Sequence, residues 1–357
     1  MNDDRLRKSA QRLGQSQILH PLSTAQLGLW YGQSVDGNHA SFYIAEYVEI
    51  LGPMDPVRFE KALRQVVTEN DALRLRIVET DEGPRQYLAD RPASVLSFQD
   101  VSEEPNPQAA AEHWMHADLA RRMDLTCELP FRYALLKVSS KRYFWYALYH
   151  HLCNDGFGMA LIARRVAEIY SASSDPLPST KPAQWFGLLA DEHAYTQSSH
   201  YQRDRQFWQA CLAERSEPIT LSGKPPTYGS AVIRCTAELA PPGRATIESI
   251  GKVYGASFAQ VIMSAVALFL YKHSGQQTVS LGIPVTTRTS NLRRQIAGMV
   301  SNFIPLLLNI KPDSRLSDLL PQVSQRLRQA LQHQRYRGED LRRDFGLGPT
   351  DPELFGP

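Results

Sequence analysis

Apolar and polar positions along this chain alternate between two periods, and the change from one to the other marks its elements. Residues Phe42 to Leu51 read as a strand, and Asp55-Pro56 then opens a helix with Phe59, Leu63 and Val66 on one face. A strand pair follows around Leu73 to Glu79 and Arg85 to Ala89, then a helix over about Pro107 to Arg121. A hairpin joins Phe131–Val138 to Tyr143–His150. The aromatic run Tyr143 to Tyr149 suits a buried strand. From Met159 onward, Leu161, Ile162, Val166, Ile169 and Tyr170 fall at helical spacing.

Between about Ser171 and Pro226 the chain turns richer in Ser, Pro and charge, which reads as a crossover containing one aromatic-rich helix from Trp185 through Trp208. Its aromatics (Trp185, Phe186, Tyr195, Tyr201, Phe207, Trp208) suit packing better than a ligand stack. The mixed pattern then repeats: a strand at Ala231–Leu239, helices around Ala245–Val253 and Phe258–Tyr271, and strands near Thr278–Ile283 and Phe303–Ile310. A long helix from Ser317 to His333 keeps Leu319, Leu320, Val323, Leu327 and Leu331 on its apolar side. Pattern alone gives a mixed α/β chain, and 357 residues suffice for about two lobes.

Composition narrows the function classes. A formal net charge of +2 gives no reason to expect nucleic acid as a partner. Four dispersed cysteines (Cys127, Cys153, Cys211, Cys235) without a CxxC pattern suit a reduced compartment. Met1 to Gln17 is polar and charged without an apolar core segment, and Phe258 to Tyr271 is too short to span a bilayer. A cytoplasmic protein without membrane contact is the expectation.

The densest chemistry lies at His150-His151-Leu152-Cys153-Asn154-Asp155-Gly156, where the aromatic strand ends before a helix. Neighbouring strand residues point to opposite faces, so if the strand runs through both histidines only one imidazole faces a site. That argues against a metal centre built from His150, His151, Cys153 and Asp155. His151 then takes the site-facing role, as a neutral imidazole able to orient a nucleophile or accept its proton, and His150 a supporting one. Asp155 reads as an organiser paired with a buried arginine, and Gly156 as the residue that permits a turn and close backbone approach. The plain alternative is a pair of satisfied histidines at a strand end.

HHxxxDG after a strand resembles the core motif of nonribosomal peptide synthetase condensation domains, of the chloramphenicol-acetyltransferase-like superfamily. Ser23-Thr24-Ala25-Gln26-Leu27-Gly28-Leu29-Trp30 resembles the opening S-x-A-Q-x-x-L-W motif of that family. Glu69-Asn70-Asp71-Ala72-Leu73-Arg74-Leu75-Arg76 resembles its R-H-E-x-L-R-x-R motif with a changed start. Pro284-Val285-Thr286-Thr287-Arg288 and Gly298-Met299-Val300-Ser301-Asn302-Phe303-Ile304-Pro305 resemble motifs of its second half, and His333-Gln334-Arg335-Tyr336 its late H-Q motif. Six matches in the family's order are far more specific than any one. His333 to Tyr336 and Leu354-Phe355-Gly356-Pro357 resemble condensation domains of the enterobactin-synthetase type in particular, which points to a siderophore or acyl-aryl pathway. Phe157 stands where the family often has Trp.

The resemblance implies two chloramphenicol-acetyltransferase-like α/β lobes in a V-shaped pseudo-dimer with a central cleft. Residues 1–17 would be a polar tail, 18–175 the N-terminal lobe with the histidines, 176–226 the crossover and 227–357 the C-terminal lobe. The family continues past the Leu-Phe-Gly-Pro stretch, so a truncated second lobe with an uncovered sheet edge or apolar face is expected. The implied reaction is amide formation between a donor acyl thioester and an acceptor amine, each carried on the phosphopantetheine arm of a carrier protein, with no cofactor or metal bound directly. Adenylation domains of the same synthetase would be partners. The absence of GxxxxGK[ST], GxGxxG and GxSxG agrees with acyl groups that arrive already activated. Arg288, in a matched motif, is the first candidate partner for Asp155 and Arg76 the second. Asn302 either faces the channel or packs. The basic residues Arg335, Arg337, Arg342 and Arg343 read as a solvated helix face, with contact to an acidic carrier as the functional version. Ester formation, epimerisation and non-catalytic recruitment of carriers are the rival readings.

Overall fold

The computed structural model describes residues 17–35, 39–172, 185–213, 215, 217–222, 235–348 and 354. They fall into two compact units: one runs to His193 and includes Arg288–Val300, the other comprises Ala194–Thr287 and Ser301–Pro357. The elements are mixed α/β in both.

The first unit is organised by a four-stranded sheet of order β2-β7-β6-β5, built from β2 (Tyr43–Leu51), β5 (Leu96–Asp100), β6 (Phe131–Ser139) and β7 (Arg142–His150). Strands β5 and β6 pair in parallel and the other neighbours antiparallel. The aromatic run of β7 is buried along both faces, and its alternation assigns each side. Tyr143, Trp145, Ala147 and Tyr149 join Phe59, Leu63 and Val66 of α2 (Pro56–Glu69) and Ile162 and Val166 of α4 (Gly156–Ser171). Phe144, Tyr146 and Leu148 pack with Ala111 and Met115 of α3 (Pro107–Ala120) and with Leu27 and Trp30 of α1 (Thr24–Val35). A smaller sheet, order β1-β4-β3, joins β1 (His20–Pro21), β3 (Leu75–Thr80) and β4 (Gly83–Leu88).

Helix starts follow their caps. Asp55 accepts from the Val57 and Arg58 amides, with Pro56 in the first turn. Asn106 accepts from Ala109, with Pro107 following.

In the second unit, β8 (Thr278–Val285) and β9 (Asn302–Asn309) form an antiparallel ladder. Its apolar face packs on α8 (Phe258–Ser274) and α10 (Leu316–Gln332) through Leu281, Leu306, Leu308, Ala267, Leu270, Leu319 and Val323. Helices α6 (Ser199–Leu212), α7 (Pro241–Tyr254) and α11 (Gly338–Asp344) also belong to this unit, whereas α9 (Asn291–Gln295) belongs to the first, and α5 (Trp185–Thr196) starts in the first and runs past His193.

Several expectations need correction. The single helix expected from Trp185 through Trp208 is two, because the Ser198 side chain accepts from the Tyr201 amide and caps a new start. Of the strand expected at Ala231–Leu239, residues 235–239 are described and form no strand; the rest lies outside the described residues. The strand expected from Leu73 is preceded by a 3-10 turn, Asp71–Arg74, and starts at Leu75. Helix α1 and strand β5 are additions that the hydrophobic pattern does not announce. The tail 1–16, most of the Ser171–Pro178 stretch and Phe355–Pro357 also lie outside the described residues. Among the described residues, no single helix is long and apolar enough to cross a membrane.

Candidate active site

Strand β7 ends at His150, the last partner in the ladder opposite Tyr43, and His151 already lies in the following turn. The alternation of strand faces therefore does not govern the pair. A different constraint separates them. The His151 amide donates to Phe42 O at 2.8 Å, and the chain then turns through Leu152 and Cys153 toward α4.

His150 is fully enclosed and reaches Gln33 of α1. Its Nδ1 accepts from the Leu152 amide at 3.1 Å, so that nitrogen carries no proton. Nε2–H then donates to Gln33 Oε1 at 3.2 Å. Burial, with smaller contributions from His151 and His39, holds its pKa down at about 3. His150 is thus a neutral, tautomerically fixed ring with both nitrogens engaged.

His151 is half-buried. Burial lowers its pKa, opposed by the Asp155 carboxylate and the Asn154 backbone, so the ring is neutral at pH 7. Its Nδ1 is shielded and lacks a hydrogen bond of ordinary geometry among the described residues. Cys153 is buried with Sγ donating to Pro130 O and His150 O at 3.2 Å, and burial pushes its thiol pKa up. A reactive thiolate is not its state.

Asp155 caps α4, accepting from the Gly158 amide at 2.8 Å. Arg288 grips the same carboxylate through both terminal nitrogens, Nη1 to Oδ2 and Nη2 to Oδ1, each at 2.9 Å. The Val300 amide donates to Oδ2 at 3.0 Å. Arg288 also donates to Ile296 O and Gly298 O and lies over the Phe157 ring, its Cζ 4.5 Å from the centroid. Both members of the ion pair are buried. A carboxylate that accepts from four donors has no lone pair directed at a substrate, so Asp155 organises rather than abstracts. Thr287, immediately before Arg288, sits at φ 48°, an uncommon backbone for a β-branched residue.

Arg76, the second candidate for this pairing, does not reach it. It lies on β3 opposite Tyr87, with its Nε shielded and without a hydrogen-bond partner among the described residues.

The glycine role expected of Gly156 also moves. Gly156 opens α4 without a left-handed φ, and a Cβ there would meet nothing within 4 Å among the described residues. At Gly158 a Cβ would lie 2.0 Å from Asn154 Oδ1, 3.1 Å from Gly298 N and 3.2 Å from the Ala297 Cα. Gly298 in turn lies under the Trp185 ring, 2.4 Å from where its Cβ would stand. The close backbone approach is Gly158 against the Ala297–Gly298 segment. Sequence reasoning misses Gly158 and Gln33, although Gly298 stands in a matched motif.

Asn302 resolves as a packing residue in the second unit. Its Nδ2 donates to Gln334 O and Tyr336 O at 2.9 and 2.8 Å, and its Oδ1 accepts from the Gly338 amide at 3.1 Å. The basic run is likewise only partly a solvated face: Arg337 is buried and donates to Ser301 O, and Arg335 lies over the Tyr195 ring. Arg343 is exposed beside Asp340.

Residues 16–357 match the model of the condensation domain family. The chain is 35% identical over 344 residues to a dimodular nonribosomal peptide synthase of Bacillus subtilis, covering 95% of this chain and 14% of that protein. Against enterobactin synthase component F of Escherichia coli it is 27% identical, covering 94% of this chain and 26% of that protein. The chain thus spans a small part of the curated relatives it matches. Among solved structures, the starter condensation domain of rhizomide synthetase, an arginine-to-alanine variant in complex with C8-CoA, superposes with a TM-score of 0.85 at 37% identity, covering 94% of this chain and 77% of that one.

Proposed function

The chain belongs to the condensation domain family, and from that membership we propose that it joins an acyl or aminoacyl thioester donor to an amine acceptor, both tethered to carrier proteins through phosphopantetheine arms. The amine nitrogen attacks the thioester carbonyl, a C–N bond forms, the C–S bond breaks, and the amine proton leaves with the thiol. In this reading His151 orients the amine and takes or relays its proton, while His150, Asp155 and Arg288 hold the loop that carries it. Gly156, beside open space at the start of α4, would let substrate pass near the backbone.

The observation that carries the reading is the partly buried His151 imidazole, which burial keeps neutral, beside an Asp155 carboxylate fully committed to its donors. An uncharged imidazole accepts a proton; a carboxylate held by four donors does not compete for it. Holding two tethered partners together supplies much of the rate, since effective molarities reach about 10⁵–10⁸ M in favourable cases.

Partners in this reading are carrier and adenylation domains of a synthetase, with no nucleic acid and no membrane, in the cytoplasm. The two lobes would divide near residues 175 and 227, with the crossover between them. Likeness to enterobactin synthase component F favours a siderophore product. A second reading concerns the donor: the rhizomide relative was solved with C8-CoA, which favours a fatty acyl thioester that need not be carrier-bound.

Mass spectrometry of the transfer tests these together. An amine-loaded carrier is offered an acyl-loaded carrier or C8-CoA, with the protein and its His151→Ala variant. Amide product that falls with the variant is expected. Ester product with a hydroxyl acceptor, racemisation of a single loaded carrier, or no product from folded protein would each replace the reading with one of its rivals.

A further inference from the structure

The opening S-x-A-Q stretch has no part in the mechanism above, yet it reaches the histidine loop. Gln26, buried at the start of α1, accepts at Oε1 from the Ser23 amide at 2.9 Å and from Gln86 Nε2 at 2.9 Å. Its Nε2 donates to Gln86 Oε1 at 3.0 Å and to Leu152 O at 3.1 Å. Gln86, buried on β4, donates also to Pro21 O at 2.7 Å and accepts from Trp185 Nε1 at 3.1 Å.

Both amides therefore have every donor and acceptor engaged. Two carbonyls and two N–H donors at the ends of the network fix the orientation of each, because a flipped amide would set donor against donor. Such a saturated pair is costly to disturb in a low-dielectric interior. It also ends on one particular peptide. The Leu152 carbonyl is held by Gln26 and the Leu152 amide by His150 Nδ1, so the residue after His151 is pinned from both sides.

We propose that the Gln26–Gln86 amide pair is a positioning element for His151, setting the place of its imidazole through the Leu152 carbonyl. The proposal rests on His151 being the site histidine. Gln26 touches no reacting atom; its effect passes through the loop backbone.

The test uses Gln26→Met, which removes all four bonds at similar volume, and Gln26→Glu, which keeps volume and both acceptor contacts but turns a carboxylate oxygen, in place of the amide donors, toward Gln86 Oε1 and Leu152 O. The readout is the ¹⁵N imidazole NMR signal of His151, identified by its loss in His151→Ala, with kcat, KM and Tm measured alongside. In both variants the His151 signal should shift. Turnover should fall about 10- to 100-fold with KM moving less than about twofold, as small misplacement of a reacting group does. A merely structural pair would lower Tm and leave the His151 signal of the folded protein unchanged, which overturns the proposal. Should Gln26→Met not fold, Gln26→Glu decides the question by the same signal. If the parent protein forms no amide but its His151 signal still responds to Gln26, the positioning stands and the reaction assignment fails.

Discussion

Asp155 and Arg288, 133 residues apart in sequence, meet in a two-pronged buried ion pair with both N–O distances at 2.9 Å. The pair ties the N-terminus of α4 to the Arg288–Val300 segment, which Val300 reinforces with its own amide. Removing one partner from such a pair leaves an uncompensated charge, so its effect exceeds that of any surface ion pair.

Asp155→Ala should destabilise the protein by about 3–5 kcal/mol, because it strands the Arg288 guanidinium. Loss of the cap to Gly158 adds about 1 kcal/mol. Asp155→Asn keeps an acceptor for the cap and should fall between Ala and the parent. Chemical denaturation and soluble yield report both. A fully stable Asp155→Ala that lost only turnover would contradict a structural role for this carboxylate.

The two glycines in the first turn of α4 should respond in opposite ways. Gly158→Ala places a methyl against Asn154 Oδ1 and the backbone of Ala297 and Gly298, and Asn154 is itself buried with Oδ1 accepting from the Asp155 amide. That crowding should cost about 1–3 kcal/mol. Gly156→Ala meets open space and should be neutral or stabilising by up to about 1 kcal/mol. Equal effects in thermal denaturation would mean the approach of Gly158 to Gly298 is not the tight one.

These outcomes bear on how much of the molecule its sequence reveals. The buried strand β7, the capped helix α2 and an arginine partner for Asp155 are legible because each rests on a local signal: an aromatic run, an Asp-Pro start, a matched motif. What is not legible depends on contacts distant in sequence. Whether Gly156 or Gly158 makes the close approach is decided by Gly298. Whether Asn302 faces substrate or packs is decided by the carbonyls of Gln334 and Tyr336. The break at Ser198 is hidden because the aromatic spacing continues across it, and only the hydroxyl cap reveals the new helix.

His150 should make the fold sensitive to acid. Its folded pKa of about 3 lies below the ordinary value of 6.5, so between those limits the unfolded chain binds a proton that the folded chain refuses. Stability then falls as pH drops through 6.5 toward 3, at up to about 1.4 kcal/mol per pH unit. His151, also lowered, adds in the same direction. His150→Gln should be less stable at pH 7, through lost contacts, yet show a flatter dependence below pH 6. Parallel curves for parent and variant would place the acid sensitivity elsewhere.

The state of His151 also fixes the form of the pH–rate profile. Because burial holds its pKa below 6.5, kcat/KM for amide formation should rise with pH along a limb centred below that value and be level through pH 7. In His151→Ala that limb should vanish, since the titrating base is gone. The rate should fall by no more than about 10²–10⁴-fold, the range that proton transfer by one positioned side chain supplies. Activity should remain because the approximation of two tethered substrates does not depend on the imidazole. A variant that keeps the limb would assign it to another group, and one with no detectable turnover at all would mean His151 does more than move a proton.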